Sequence, residues 1–216
     1  MKQKKYIVWD WNGTLFDDID ICMVALNGLL EEYHLPLVDK EAYRKVFRFP
    51  VIDYYQDVGF DFSKTPFDVL AKQYMDVYFP GSLSCELFAD VRETLRYFQE
   101  LGLKQFIISA SRIDHLHLQL DQYDILPYFT DILGLDNIRA GSKIDIAKQW
   151  INDNQIDPSE VLFIGDSVHD SEVAKACGCD CTLISRGHQN KEKLEKTGCD
   201  VKDSISQLWK EEFAYQ

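Results

Sequence analysis

The sequence predicts an α/β fold, a doubly wound parallel sheet that carries an inserted all-helical unit near its start. Three observations lead there. An apolar, β-branched and aromatic run occupies residues 5–9 and stops at a turn-rich stretch, Asp10-Trp11-Asn12-Gly13-Thr14. From residue 83 onward, short apolar runs alternate with stretches of helical spacing. Between these regions the spacing is helical, with no convincing strand. Strands alternating with helices imply a parallel sheet, and right-handed crossovers imply a doubly wound order. The expected division is a core from residues 1–16 and 83–216, with a helical cap from residues 17–82.

Residues 5–9 read as a buried strand because little in them is polar. In the insertion, apolar residues recur through Ile21, Val24, Ala25 and Leu29, and again through Val69, Leu70, Tyr74 and Val77. Pro36, Pro50, Gly59 and Pro66 cut the region into about four helices, and Pro80-Gly81 closes it. A helix through Val91, Leu95 and Phe98 stops at Gly102, a favoured helix-terminating residue. Residues 105–109 form a strand, residues 113–123 a helix and residues 131–133 a short strand. Ser142 caps a helix that reaches Asn152. A strand at 161–164, a helix at 169–176, a strand at 182–184 and a helix near Trp209 complete the chain.

Composition narrows the function. A formal charge of −13 argues against a nucleic-acid partner, which needs clustered Lys and Arg. A small phosphorylated molecule stays compatible, because one cation and a few aimed donors override the global field locally. No apolar run reaches the roughly 18 residues of a membrane span. The basic start, Met1 to Lys5, meets only four apolar residues, too few for a signal peptide, so the expected location is cytoplasmic. Cys177, Cys179 and Cys181 alternate, yet no C-x-x-C pair has a distant partner pair. They read as small buried hydrophobes with free thiols rather than a zinc site.

In open α/β sheets ligands bind at the carboxyl ends of the strands. Asp10, Ser109 and Asp166 each stand at such an end, so one rim should collect all three. Asp170 follows Asp166 by one helical turn. Crowded carboxylates need a cation, and an all-oxygen set is what Mg2+ prefers. Lys143, at a helix start, answers the excess negative charge, and Ser109 supplies a hydroxyl donor. Gly13 permits close backbone approach, and the amides from Asn12 to Leu15 can form an anion-binding concavity.

These residues match a family pattern. The stretch from Asp10 to Asp17, Asp-Trp-Asn-Gly-Thr-Leu-Phe-Asp, resembles the opening motif of the haloacid dehalogenase-like hydrolase superfamily, D-x-D-G-T-L-x-D. The apolar run Phe106-Ile107-Ile108 ending in Ser109-Ala110-Ser111 resembles its second motif, Lys143 its third, and Gly165-Asp166-Ser167 with Asp170 its fourth. The four come in the family's order. The helical insertion resembles the C1 cap of phosphoglycolate phosphatase and β-phosphoglucomutase relatives. This resemblance implies a Rossmann-like core in which Asp10 attacks phosphorus and forms an aspartyl-phosphate that water hydrolyses. It implies Mg2+ held by Asp10, the main-chain carbonyl of Asn12 and Asp166, with Asp170 supporting the metal shell. It implies that Thr14, Ser109, Ala110 and Lys143 bind the phosphoryl end of the substrate, Lys143 also neutralising Asp10.

One position departs from the pattern. Family phosphatases carry a second Asp where this chain has Asn12, and that Asp protonates the leaving alkoxide and later deprotonates water. An amide cannot. General acid–base help is worth ~10²–10⁴ in rate, or about 3–5 kcal/mol of barrier. Four explanations are open. His169, Arg48 or Tyr54 could handle the proton, the substrate could have a leaving group that needs no acid, or the site could bind a phosphorylated ligand without turnover. Deamidation at Asn12-Gly13 could also restore the acid. Lys40, Lys45 and Lys64 of the cap, candidate Schiff-base formers by analogy with phosphonatases, read as solvated charges. His115 and His117 read as ordinary helix residues, and His188, in a loop beyond a strand, as a plain loop residue, the alternative being that it lines the site. The expected activity is Mg2+-dependent removal of phosphate from a small metabolite, the alternative being a silenced site that binds a phosphorylated ligand or partner.

Overall fold

A computed structural model describes residues 4–135 and 142–211. Its main sheet has six parallel strands in the order β5-β4-β1-β6-β7-β8. They are β1 (Tyr6–Trp9), β4 (Lys104–Arg112), β5 (Phe129–Leu135), β6 (Val161–Gly165), β7 (Asp180–Ile184) and β8 (Asp200–Lys202). Ile7, Val8 and Trp9 are fully buried, as a strand covered on both faces requires. One face packs on Val91, Leu95 and Phe98 of α5 (Val91–Glu100) and on Leu116 and Leu120 of α6 (Ile113–Leu120). The other packs on Ile146, Ala147 and Trp150 of α7 (Lys143–Asp153) and on Val173 and Ala174 of α8 (Val168–Cys177). The doubly wound order follows from the chain leaving central β1 and building outward on both sides.

Four helices form the insertion after β1 and before α5: α1 (Ile19–Glu32), α2 (Lys40–Val46), α3 (Val51–Asp57) and α4 (Phe67–Ser82). They enclose an apolar cluster of their own that includes Leu26, Leu30, Tyr43, Tyr54, Tyr55 and Leu70. Their hinge is a two-stranded antiparallel pair, β2 (Phe16–Asp17) with β3 (Glu86–Leu87). These strands, β8 and the short α9 (Lys191–Glu195) were not expected from the sequence. Elements of two to five residues bury too few side chains to show a period. Helix α6 ends at Leu120, short of the expected Tyr123. Helix α4 does not close at Pro80 but continues to Ser82. A proline so close to the helix end removes one bond of the last turn, and Gly81 leaves room for Ile21 of α1. Helix α10 (Ser206–Glu211) ends the described chain.

Cys177, Cys179 and Cys181 are half-buried free thiols against the second core cluster. Among the described residues, none of them joins a potential metal-binding group.

Two buried glutamines stitch the layers. Gln105 of β4 accepts from the Trp9 indole at 3.1 Å and donates to the Leu95 carbonyl at 2.8 Å. Gln119 of α6 accepts from the Trp11 indole at 2.9 Å and donates to Ser82 at 2.8 Å, joining the loop after β1 to α4. Replacing Gln105 by Leu preserves shape but leaves a buried indole N–H and a carbonyl without partners. The expected loss is about 1–3 kcal/mol of unfolding free energy. Urea denaturation measures it, and an unchanged midpoint would contradict the role given to this residue.

Candidate active site

Strand order places the site. β4 and β6 flank β1, so the chain ends carrying Ser109, Asp10 and Asp166 emerge side by side. The Asp10 amide still donates to the Ile164 carbonyl at 2.8 Å, after which the chain turns. Trp11 O accepts from Leu15 and Phe16, both at 3.0 Å, and Gly13 adopts φ +70°, a region open to glycine at little cost. A Cβ at Gly13 would collide with the Asp166 carboxylate and the His188 ring, and one at Gly187 with Asp166 again. Both glycines are the condition for this close packing.

Lys143, the first residue of α7, lies between two carboxylates. Its Nζ donates to Asp10 Oδ1 at 2.5 Å and to Asp170 Oδ1 at 2.6 Å, with 3% of the lysine side chain exposed. Asp170 also accepts from the Ser167 amide at 3.0 Å and hydroxyl at 2.6 Å. Burial works against its charge, but Lys143 and Ser167 outweigh that and hold the carboxyl below its ordinary range. Asp10 and Asp166 go the other way. Burial raises both, and the negative charge of Asp170 adds to each, while Lys143 opposes the shift at Asp10 and His188 opposes it at Asp166. Oxygens of Asp10, Asp166 and Asp170 lie within 4.8 Å of one another.

The remaining expected residues divide. Ser109 is buried, and its hydroxyl oxygen accepts from the Ser111 amide at 3.0 Å, so its proton is free to point into the cavity it lines with Ala110. Thr14 is fully buried and donates to Asp10 Oδ2 at 3.2 Å; it is not among the residues lining the cavity. Asn12 is clamped. Its amide nitrogen donates to Asp18 and to the Tyr78 hydroxyl, both at 2.8 Å, and its oxygen accepts from Ser111 at 2.8 Å. The Gly13 nitrogen, which would have to attack this side chain during deamidation, is held by Phe16 O at 2.9 Å and Asp18 at 3.1 Å.

Sequence reasoning passed over Asp18 and gave His188 the lesser of two readings, yet the two form a second cluster. Asp18, just before α1, accepts from Asn12, Gly13, Tyr78 at 2.7 Å and His188 Nε2 at 3.2 Å. Burial opposes its ionisation, but His188, Tyr78 and Asn12 hold its carboxyl low. His188 is not a plain loop residue: it is 4% exposed, its amide donates to Asp166, and Nδ1 meets the Tyr43 hydroxyl at 2.9 Å. Burial pulls the ring down, yet Asp18, Asp166 and Asp10 raise it to about 9. The rule of strand carboxyl ends, applied after β7, points at His188. Nothing local marks Asp18 apart from its neighbour Asp17.

Other side chains considered from the sequence are engaged elsewhere. Arg48 pairs with Asp53 at 3.2 Å and Asp57 at 2.7 Å. Tyr54 is buried in the helical cluster, and Lys40, Lys45 and Lys64 pair at the surface with Asp20, Glu41 and Asp61. His115 lines the cavity and stacks on Phe79 at 3.7 Å, while His169 lines it and stacks on Phe49 at 4.7 Å.

The helical unit is fastened over this rim. Arg44 of α2 donates to the carbonyls of Gly187 at 2.9 Å and Arg186 at 2.6 Å, and Phe47 O accepts from Gln189 at 2.9 Å. A cavity of about 390 Å³ lies between the two parts. No helix among the described residues is long and apolar enough to cross a membrane.

The chain is similar to known proteins. The chain is 27% identical to a phosphoglycolate phosphatase of Vibrio parahaemolyticus, with 94% of each chain covered. It is 30% identical to a phosphoglycolate phosphatase of Vibrio vulnificus, again with 94% of each covered. A haloacid dehalogenase-like hydrolase of Streptococcus pneumoniae superposes with a TM-score of 0.84 at 19% identity, over 100% of this chain and 99% of that one, a likeness of fold. The family model described as haloacid dehalogenase-like hydrolase matches residues 7–184. With that span and these relatives, the chain belongs to the haloacid dehalogenase-like hydrolases.

Proposed function

We propose that this protein is a Mg2+-dependent phosphatase that removes phosphate from a small phosphorylated molecule through an aspartyl-phosphate on Asp10. The observation that carries the reading is the Asp10–Lys143–Asp170 bridge beside Asp166 at the rim. The relatives named phosphoglycolate phosphatase support it.

The residues fit a divalent cation. The donor set is all oxygen, which suits Mg2+ over softer metals. Asp166 is raised by burial and by its acidic neighbours, which His188 only partly offsets. Asp10, Asp166 and the Asn12 carbonyl would hold the ion, and Asp170, both of whose oxygens are engaged, supports it through charge. When bound, the cation supplies charge neutralisation for the phosphoryl group.

The chain's own residues do the rest. Asp10 is kept ionised against burial by Lys143 and aimed by Thr14. Ser109 donates to a phosphoryl oxygen, and Lys143 offers its third proton to another. The helical cover excludes water while the bond to Asp10 forms; the amides of Gly13, Thr14 and Leu15 are spent inside the turn and on Asp18. A loose, charge-rich transition state needs this positioning more than covalent help. Asn12, clamped by Asp18 and Ser111, gives no proton, and that same observation favours the second reading, a weak or silent site that binds a phosphorylated ligand.

Asp10→Asn should lower kcat on any phosphate ester turned over with Mg2+ by at least ~10³-fold, read as phosphate release. Equal activity would remove Asp10 as nucleophile. Asn12→Asp sets a new carboxylate against Asp18, so its gain on alkyl phosphates should be small. Adding Asp18→Asn should raise that gain toward the ~10²–10⁴ of a working acid. Equal rates for the single and double variants would refute the coupling.

The metal-free fold should depend on pH through His188. Its folded value, about 9, stands above the ordinary 6.5 of imidazole. The Asp18–His188 contribution is therefore full below about pH 6.5 and lost as pH rises through about 9. Thermal unfolding in chelator across that window should show the loss, and His188→Gln should flatten it.

A further inference from the structure

Two chemically different sets of side chains line the cavity. One comprises Asp10, Ser109, Lys143 and Asp166. The other comprises Phe47, Phe49, Val51, Tyr74 and Met75 of the helical unit with His115 and His169 of the core. Their rings already lie in stacked pairs: Phe49 on His169, Phe79 on His115, and Tyr74 on Tyr78 at 5.7 Å and 15°. Flat apolar walls of this kind favour a ring over a short polar chain.

Charge narrows the ligand further. A carboxylate on the substrate's far side needs a cation that is not already engaged. Among the described residues near the cavity, each cation has partners. Lys143 serves Asp10 and Asp170, and His188 serves Asp18. Arg44 holds two carbonyls, and Arg112 holds Asp114 through two nitrogens. His115 is kept neutral, its pKa lowered by burial and by Arg112.

A second observation, independent of the walls, concerns the leaving group. The clamped Asn12 amide cannot protonate a departing oxygen. An alkoxide needs that proton; a phenolate, whose acid has a pKa near ~10, does not. We propose that the site takes aryl phosphate monoesters, with the aromatic leaving group seated between the Phe49 and His115 walls. The proposal rests on the hydrolase reading above.

The steps balance as follows. An Asp10 oxygen bonds to phosphorus while the bond from phosphorus to the aryl oxygen breaks, and the electron pair leaves on the aryloxide, which takes a proton from water. Water then bonds to phosphorus, the bond to Asp10 breaks, and one proton passes to solvent. The net reaction is aryl phosphate plus water giving phenol plus inorganic phosphate. With no carboxylate at residue 12 to deprotonate that water, the second step is the slow one and the aspartyl-phosphate accumulates.

The test compares phenyl phosphate, benzyl phosphate (the same ring on an alkoxide) and 2-phosphoglycolate in rapid-quench assays of the full chain with Mg2+. The expected result is a burst of about one phenol per protein followed by slower turnover. kcat/KM for phenyl phosphate should exceed that of the other two esters by at least ~10²-fold. Benzyl phosphate or phosphoglycolate matching phenyl phosphate overturns the assignment, as does phenol release without a burst. If no ester is hydrolysed and Asp10 takes up no phosphate, the hydrolase reading fails instead. The ligand class is then decided by calorimetry with phenylphosphonate and phosphonoacetate: at least ~10-fold tighter phenylphosphonate keeps it, and equal or reversed affinity ends it.

Discussion

The site is organised by a problem of charge: four carboxylates, Asp10, Asp18, Asp166 and Asp170, crowd one rim with almost no access to water. Two buried cations answer them. Lys143 spans Asp10 and Asp170, and His188 stands beside Asp18 with its amide on Asp166. Removing ions from water costs several kcal/mol each unless partners replace the solvent, so neither cation can be lost without consequence for its neighbours. Asp166 remains the least compensated of the four, and the cluster is electrostatically prepared for one more positive charge.

The two cations also divide the labour of the fold. Lys143 belongs to the sheet: it enters from the start of α7 and binds the loop after β1 to the start of α8. His188 belongs to the cover. Through Tyr43 it reaches α2, and through Asp18 it reaches the entry to α1 and, by way of Tyr78, α4. The same residues that balance charge therefore hold the helical unit shut over the cavity. Arg44 of α2, bonded to the loop that carries His188, and Gln189 of that loop strengthen the closure.

Asn12 is a member of this network. An aspartate at residue 12 would face Asp18 across a hydrogen-bond distance, whereas the amide donates to it and accepts from Ser111. The amide at 12 and the carboxylate at 18 are complementary partners, and the chemistry open to the site follows from the pair. Aromatic side chains from α2, α4 and the connection after α2 line the same cavity as this pair.

Strand content made the sheet legible: the runs at residues 5–9, 105–109, 161–164 and 182–184 are apolar enough to read as buried β1, β4, β6 and β7. Helical spacing likewise exposed the insertion. The grouping of Asp10, Ser109 and Asp166 followed from their places at strand ends, because a parallel sheet brings those ends to one edge whatever the loops do. Periodicity does not register β2, β3 and β8, which bury only a few side chains each. Nor does it reveal partners. That Asp18 meets Asn12, that His188 is buried and charged, and that Lys143 serves Asp170 as well as Asp10 depend on contacts spanning 6, 170 and 27 residues. The sequence alone determined the architecture and the edge at which Asp10 stands, since local apolarity and turn chemistry act within a few residues. Tertiary structure alone decided which charges face one another, since a buried charge takes its properties from neighbours that the fold, and not the chain, places beside it.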